Sequence, residues 1–179
     1  MGTVNLQGEA ICLRALEPAD LDFLYQLEND TSIWEISGTT KPYSKKVLNF
    51  YLENSHRDIY EVKQLRLCIC DKTSKCMGLI DLFDFDPKNA RAGLGIVIAK
   101  QENRNQGIGA EAIALLCDYA FSTLHLHQIY ANILEDNVPS INLFSKLGFE
   151  TVGIKREWIR TREGFKNEVM FQKIAPHVH

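Results

Sequence analysis

Two stretches carry residue types spaced for chemistry. Arg104-Asn105-Gln106-Gly107-Ile108-Gly109-Ala110 follows the apolar run Leu94-Gly95-Ile96-Val97-Ile98-Ala99 and precedes a helical pattern, so it reads as a strand, a glycine-bearing loop and a helix start. Glycines at 107 and 109 let backbone come close to a ligand, and the free amides of a helix N-terminus, with the dipole behind them, favour an anion. A phosphate-bearing guest suits this loop; glycines that only turn the chain are the alternative at this point. The second stretch, Asn137 to Phe149, opens with an asparagine in a helix-capping position and sets Ser140 and Phe144 on one helix face at i, i+4.

The elements that must position these residues follow from periodicity. Ala10 to Leu16 is strand-like, and Glu17-Pro18-Ala19-Asp20 opens a helix through Leu21, Leu24, Tyr25 and Glu28. A polar, aromatic-bearing loop spans Asn29 to Tyr43, after which Ser44 caps a second helix with apolar Val47, Leu48, Tyr51 and Leu52. Leu65 to Cys70 and Met77 to Phe83, joined by Asp71 to Lys75, make a hairpin, and Arg91 to Lys100 is the next strand. The helix after the glycine loop carries Ile108, Ala112, Leu115, Leu116 and Tyr119 as one apolar stripe. A strand at His127 to Leu134, a helix from Asn137 ended by Gly148, and a hairpin of 149–160 and 165–174 complete the chain. The order is β-α-α-β-β-β-α-β-α-β-β, a mixed α/β sheet with flanking helices.

The chain has 179 residues, fitting one domain over 1–179 with 173–179 as a C-terminal tail holding His177 and His179. A formal charge of -3, with acids and bases interspersed, gives no electrostatic footprint for nucleic acid. No apolar run reaches membrane-spanning length and no basic-then-apolar leader is seen, so a soluble, cytoplasmic protein is expected. Cys12, Cys68, Cys70, Cys76 and Cys117, an odd set within apolar stretches, read as packing in a reducing compartment. Their spacing matches no usual zinc pattern, and no metal site is expected.

Taken together, the two stretches resemble the GNAT superfamily of N-acetyltransferases, and within it the branch of spermidine and ribosomal-protein acetyltransferases. The family's acyl-CoA loop Q/R-x-x-G-x-G/A is met by Arg104 to Gly109, and its second motif by Asn137 to Phe149. The resemblance implies a GNAT fold with a mostly antiparallel sheet, acetyl-CoA as co-substrate, and a primary amine as acceptor: a polyamine, a protein N-terminus or a small aminated metabolite. It implies that Ile96, Val97 and Ile98 bind the pantetheine arm through strand backbone. The pyrophosphate falls to Arg104, Asn105, Gln106, Gly107, Ile108, Gly109 and Ala110, with Asn137, Ser140 and Phe144 also at the cofactor. A homodimer is the family expectation. Arg104 and Lys146 also read as solvated cations, and Asn137 as a helix cap.

Direct attack on a thioester needs a neutral amine, oxyanion stabilisation and a proton for the thiolate. Relatives place a proton-donating tyrosine where this chain has Phe144, and a glutamate in an R-A-E-x-G pattern where it reads Arg91-Ala92-Gly93-Leu94-Gly95. Ser140 is then the candidate to assist the thiolate. Asp84 is the candidate base, drawn from a field of Asp81, Asp84, Glu28, Asp30 and Glu35 that also read as solvated carboxylates. The acceptor loop lacks the carboxylates of polyamine-binding relatives, reading Gly38-Thr39-Thr40-Lys41-Pro42-Tyr43. Trp34, Tyr43 and Trp158 are candidate acceptor-pocket walls or core. Two rivals stand beside the enzyme: an acyl-CoA-binding regulatory protein, supported by Gly93 and Phe144, and a dinucleotide-binding domain, since Gly107 to Ala112 fits G-x-G-x-x-A.

Overall fold

In a computed structural model that describes residues 6–104 and 106–176, seven strands form one sheet. They are β1 (Cys12–Ala15), β2 (Leu65–Cys70), β3 (Cys76–Asp86), β4 (Arg91–Ile98), β5 (Gln128–Leu134), β6 (Glu150–Thr161) and β7 (Gly164–Ile174). The helices are α1 (Leu21–Glu28), α2 (Trp34–Ser37), α3 (Lys45–Glu53), α4 (Ile59–Val62), α5 (Ile108–Ser122) and α6 (Val138–Lys146). Local chemistry sets the boundaries. Ser44 accepts from the Val47 amide at 3.2 Å and starts α3, and the Asp71 carboxylate takes the Thr73 and Lys75 amides at 2.8 and 3.1 Å to close the β2–β3 turn.

Three expectations need correction. The stretch 29–43 contains α2, closed by Gly38 at φ +70°, and α4 stands before β2, its first turn capped by Asp58 on the Tyr60 amide at 2.7 Å. Each is four residues long, too short for a period to register. Residues 173 and 174 belong to β7 rather than to a tail: Lys173 pairs with Ile129 and Ile174 with Gln128. His177 and His179 lie outside the described residues.

The strand order is β1-β2-β3-β4-β5-β7-β6, antiparallel throughout except between β4 and β5. That parallel contact consists of Arg91↔Gln128, Ala92↔Ile129 and Gly93↔Tyr130. β4 then continues to Ile98, while β5 stays paired with β7 as far as Leu134↔Glu168. The two strands part after Gly93 and Tyr130, and a cleft opens in the middle of the sheet.

Alternation along β4 divides the two cores. Ala92, Leu94, Ile96 and Ile98 face the main core under α5 and α6, whereas Val97 faces the cluster of α1 and α3 around Leu24, Leu48, Leu52, Cys68 and Leu79. Full burial of one such side chain is worth about 1.5–3 kcal/mol, so both faces of the sheet are held independently. On α5 the buried residues are Ile108, Ala112, Ile113, Leu116, Cys117 and Ala120. The expected Leu115 and Tyr119 are half-buried at the edge of that arc. The cysteines are free thiols, and burial pushes Cys70 and Cys117 up to about 11. These two pack in the core and are not poised to react.

Candidate active site

One end of the cleft between β4 and β5 is formed by the N-terminus of α5. Gly107 is the N-cap of α5 at φ +79°, a left-handed conformation, and nothing lies within 4 Å of where its Cβ would stand. Among the described residues no side-chain cap closes α5 at Gly107, and the N-terminus of a 15-residue helix presents free amide donors, a setting that favours an anion. The Arg104 guanidinium is exposed beside this end and donates Nε and Nη2 to the Ile98 carbonyl at 3.4 and 3.2 Å. Gln106 is exposed and donates Nε2 to the Glu102 carbonyl at 2.7 Å. Asn105 lies outside the described residues. Gly109 has a different reason for lacking a side chain: a Cβ there would stand 3.3 Å from Leu143 Cδ2, so α5 and α6 pack closely at that point.

A long, thin guest is matched by the other wall. Past Gly93 the β4 backbone has no strand partner on its β5 side, and Ile96, Val97 and Ile98 are half-buried along it. Asn137 caps α6, its Oδ1 accepting from the Ser140 amide at 3.3 Å. Ser140 is half-buried in the first turn of α6. Phe144 and Ile108 are 3 % and 7 % exposed, so the Phe144 ring, edge-on to Phe149 at 4.9 Å, and the Ile108 side chain belong to the core. What Ile108 presents outward is its amide. Lys146 is exposed.

The opposite face of the sheet carries the polar groups. Directly paired residues share a face, so Arg66, Asp81 and Gly95 lie in one row and Phe83, Gly93 and Tyr130 in the next. The Phe83 ring fills the space over Gly93, where a Cβ would stand 2.3 to 2.8 Å from three ring atoms, and it meets Tyr130 edge-on at 5.9 Å. Asp81 lies over Gly95, with Oδ1 3.1 Å from the Cβ position. Its Oδ2 accepts from Gln64 Nε2 at 3.2 Å and faces Arg66 Nη2 at 3.9 Å. Arg66 pairs in turn with Glu28 at 3.1 Å, and its guanidinium lies 5.8 Å from the Tyr51 ring centre. Burial pushes the Asp81 carboxyl above its ordinary value, against the pull of Arg66 and the Gln64 bond. A cavity of about 180 Å³ opens beside this group, lined by Tyr51, Gln64 and Arg66 among others.

Asp84, the candidate base, is exposed at φ +48°, where the β3–β4 ladder shifts register between Phe83 and Asp86. It stands beside Tyr130, whose phenol is raised by burial first and then by this carboxylate. Glu28 is committed to Arg66, Glu35 pairs with Lys166, and Asp30 accepts from the Ser32 amide and hydroxyl. Lys166 also reaches Asp136 at 2.8 Å, tying α2 to the loop after β5 beside a depression of about 230 Å³. Trp34 and Tyr43 pack into the α1–α3 cluster, the Trp34 indole donating to the Glu28 carbonyl at 2.9 Å. Trp158 is exposed, with the Lys155 ammonium 5.2 Å from its ring centre.

Sequence reasoning missed Gln64, Arg66, Phe83, Tyr130 and Lys166. Two signals were readable: a lone arginine inside the apolar run Leu65-Arg66-Leu67-Cys68, and glycines at 93 and 95, two apart and hence on one bare strand face. Neither signal says which neighbouring side chain fills the space.

Comparison with known proteins fits this geometry. A model of the acetyltransferase (GNAT) domain family matches residues 10–150. Spermidine N(1)-acetyltransferase of Escherichia coli strain K12 is 30% identical over 147 residues, covering 82% of this chain and 76% of the relative. The spermidine N-acetyltransferase of Vibrio cholerae, solved in complex with CoA and spermine, superposes with a TM-score of 0.82 at 23% identity over 92% of this chain and 95% of that one, a likeness of fold. A dodecameric structure of the Vibrio cholerae enzyme matches at 25% identity and a TM-score of 0.77, over 92% and 94%.

Proposed function

The chain belongs to the GNAT family of acetyltransferases, matched over residues 10–150, and from that premise we propose that the β4–β5 cleft is where it moves an acetyl group from acetyl-CoA to an amine. It is an acetyl-CoA-dependent N-acetyltransferase. The observation that carries the siting is the loss of strand pairing after Gly93 and Tyr130, which leaves β4 backbone open beside an uncapped α5 N-terminus. In this reading the backbone of Ile96 to Ile98 takes the amides of the pantetheine arm. The amides from Gln106 to Ala110, with Arg104, take the pyrophosphate, and Asn137 and Ser140 stand at the thioester end.

The bound thioester supplies the acyl carbon and the leaving thiol. The protein supplies orientation, which in well-aligned reactions is worth about 7–11 kcal/mol of barrier, and donors for the oxyanion. The dinucleotide reading loses its support here, because Gly107 comes after an extra turn at Gln101–Asn103 rather than directly after the strand, and β4 follows an antiparallel meander.

The acceptor is a primary amine, with polyamines and protein N-termini the leading classes. The spermidine-acetylating relative supports the first. The second gains from the state of the acceptor-side carboxylates, since Glu28 pairs with Arg66, and Glu35 and Asp136 with Lys166, leaving less free negative charge for a polycation. We read the chain as one domain working in the cytoplasm, where its five free cysteines stay reduced, and self-associating. Sedimentation measures that association.

The deciding experiment incubates the protein and acetyl-CoA with pooled polyamines, amino acids, aminated metabolites and N-terminal peptides, and reads acetylated products by mass spectrometry. Product from the wild type names the acceptor class. Absence of acetyl-CoA binding removes the cleft assignment.

A further inference from the structure

We infer that Asp81 is the general base of the transfer, acting through Oδ1 from β3 in place of the glutamate that the family pattern puts on β4. The inference rests on the reading of the β4–β5 cleft as the acetyl-transfer site.

Three observations place it. Gly93 and Gly95 leave the acceptor face of β4 without side chains at the point where β4 and β5 part, and residues of β3 occupy the space instead. Phe83 covers Gly93 and is apolar; Asp81 covers Gly95 and is the carboxylate. The two oxygens of Asp81 are also in different states. Oδ2 is held by Gln64 Nε2 at 3.2 Å with Arg66 Nη2 at 3.9 Å, whereas Oδ1 takes no hydrogen bond among the described residues and stands over the Gly95 backbone. One oxygen anchors the group, and the other faces the bare surface of β4 at Gly95.

Asp84 is less well placed. It is exposed, it lies at the register shift beyond Phe83, and the Phe83 ring stands between it and the parted segment of β4 in strand order. Asp81 is opposite Gly95, two residues into that segment.

The step balances without another reagent. Oδ1 takes one proton from the acceptor ammonium, and the neutral amine nitrogen bonds to the thioester carbonyl carbon. The C–S bond breaks as the amide forms, a second N–H proton passes to the leaving thiolate, and Asp81 returns its proton to solvent. Asp81's protonation is set first by burial, then by Arg66 on β2 and the Gln64 hydrogen bond; Glu28 at the end of α1 pairs with that Arg66, the Tyr51 ring on α3 lies beside its guanidinium, and Gly95 of β4 opposite carries no titratable group. Gln64 is a positioning residue for Oδ2.

The test uses the full chain with acetyl-CoA and the pooled amines above, reading total acetylated product, with acetyl-CoA binding and thermal melting measured in parallel. Asp81→Asn is expected to lower kcat about 10²–10⁴-fold while acetyl-CoA affinity stays within about twofold. The acidic limb of the wild-type pH–rate profile is lost from its place and replaced by one displaced to alkaline pH, where the amine deprotonates unaided. Asp81→Glu recovers part of the rate, and Gln64→Leu moves the midpoint of the acidic limb. Wild-type kcat and an intact acidic limb in Asp81→Asn, or loss of that limb in Asp84→Asn with its retention in Asp81→Asn, overturns the inference. So does a wild type that binds acetyl-CoA and acetylates none of the amines. A wild type that does not bind acetyl-CoA overturns the cleft reading itself.

Discussion

Arg14 and Asp20 meet at two points, Nη1 on Oδ2 and Nη2 on Oδ1, each at 2.8 Å, and join the end of β1 to the turn that starts α1. Asp20 is 6 % exposed and also accepts from the Glu17 amide at 2.7 Å and the Cys68 thiol at 3.5 Å. Every lone pair of this carboxylate that matters is committed to holding the first strand–helix unit against β2.

Removing the cation leaves a buried charge without its counter-ion, which typically costs about 3–5 kcal/mol. Arg14→Met is therefore expected to lower unfolding free energy by that amount in urea, with the m-value unchanged. Burial works to raise the Asp20 carboxyl, but the Arg14 bonds and the Glu17 amide outweigh it and hold the group below its ordinary value. For a carboxyl depressed in the folded state, the stabilisation is complete above the unfolded value near 3.8 and is lost as pH falls through the folded one. Asp20→Asn should be less stable than wild type at neutral pH and lose less stability on acidification below about 4. Parallel acid limbs for the two proteins count against this account.

Gly107 separates conformation from space. Its φ of +79° strains any β-branched residue by about 1–2 kcal/mol, yet nothing would touch an added Cβ. Gly107→Val should thus fold, melt slightly lower, and bind acetyl-CoA at least about tenfold more weakly, a loss of about 1.4 kcal/mol. Calorimetric titration reads both quantities. Unchanged affinity would remove the phosphate role given to this loop.

The fold was legible because long periodic segments carry their own signal: the β2–β3 hairpin, α5 and the closing hairpin all stand where alternation and capping residues put them. α2 and α4 were not, since four residues give no period. The cofactor side proposed here could be read for a related reason, as Arg104 to Ala110 and Asn137 to Phe144 are contiguous motifs. The acceptor side was not. Asp81, Gly95 and Arg66 come from three strands that only the register of β2, β3 and β4 brings into one row, and Glu28 of α1 joins it through Arg66. A glycine in sequence reports an absent side chain and is silent about what enters the gap.

Lys166 holds Glu35 at 3.3 Å and Asp136 at 2.8 Å, so one ammonium links α2 to the loop after β5. Solvent-screened pairs of this kind add little, so Lys166→Met should leave global stability nearly unchanged. The consequence is local. Amides of 34–38 should exchange faster with deuterium, and acceptor KM should change more than acetyl-CoA KM. Unchanged exchange in α2 would mean that the helix is held by Trp34 packing alone.

Phe83 and Gly93 are complementary in a way a mutant cycle can measure. A Cβ at 93 meets the Phe83 ring at 2.3 Å, so Gly93→Glu, which writes the family's glutamate back into β4, forces the ring out of place. Overpacking of this kind costs about 1–3 kcal/mol. Phe83→Ala removes the obstacle, and the ring's edge-on contact with Tyr130, worth about 0.5–1.5 kcal/mol beyond its area, goes with it. If the two residues share one space, the double variant is more stable than the sum of the single losses requires, by about 0.5–3 kcal/mol. Urea titration of the four proteins gives that coupling. A value near zero would mean that Phe83 can swing clear of β4 and that the aromatic cover over Gly93 is incidental, whereas a favourable coupling means that the Phe83 ring holds the space a side chain at 93 would need.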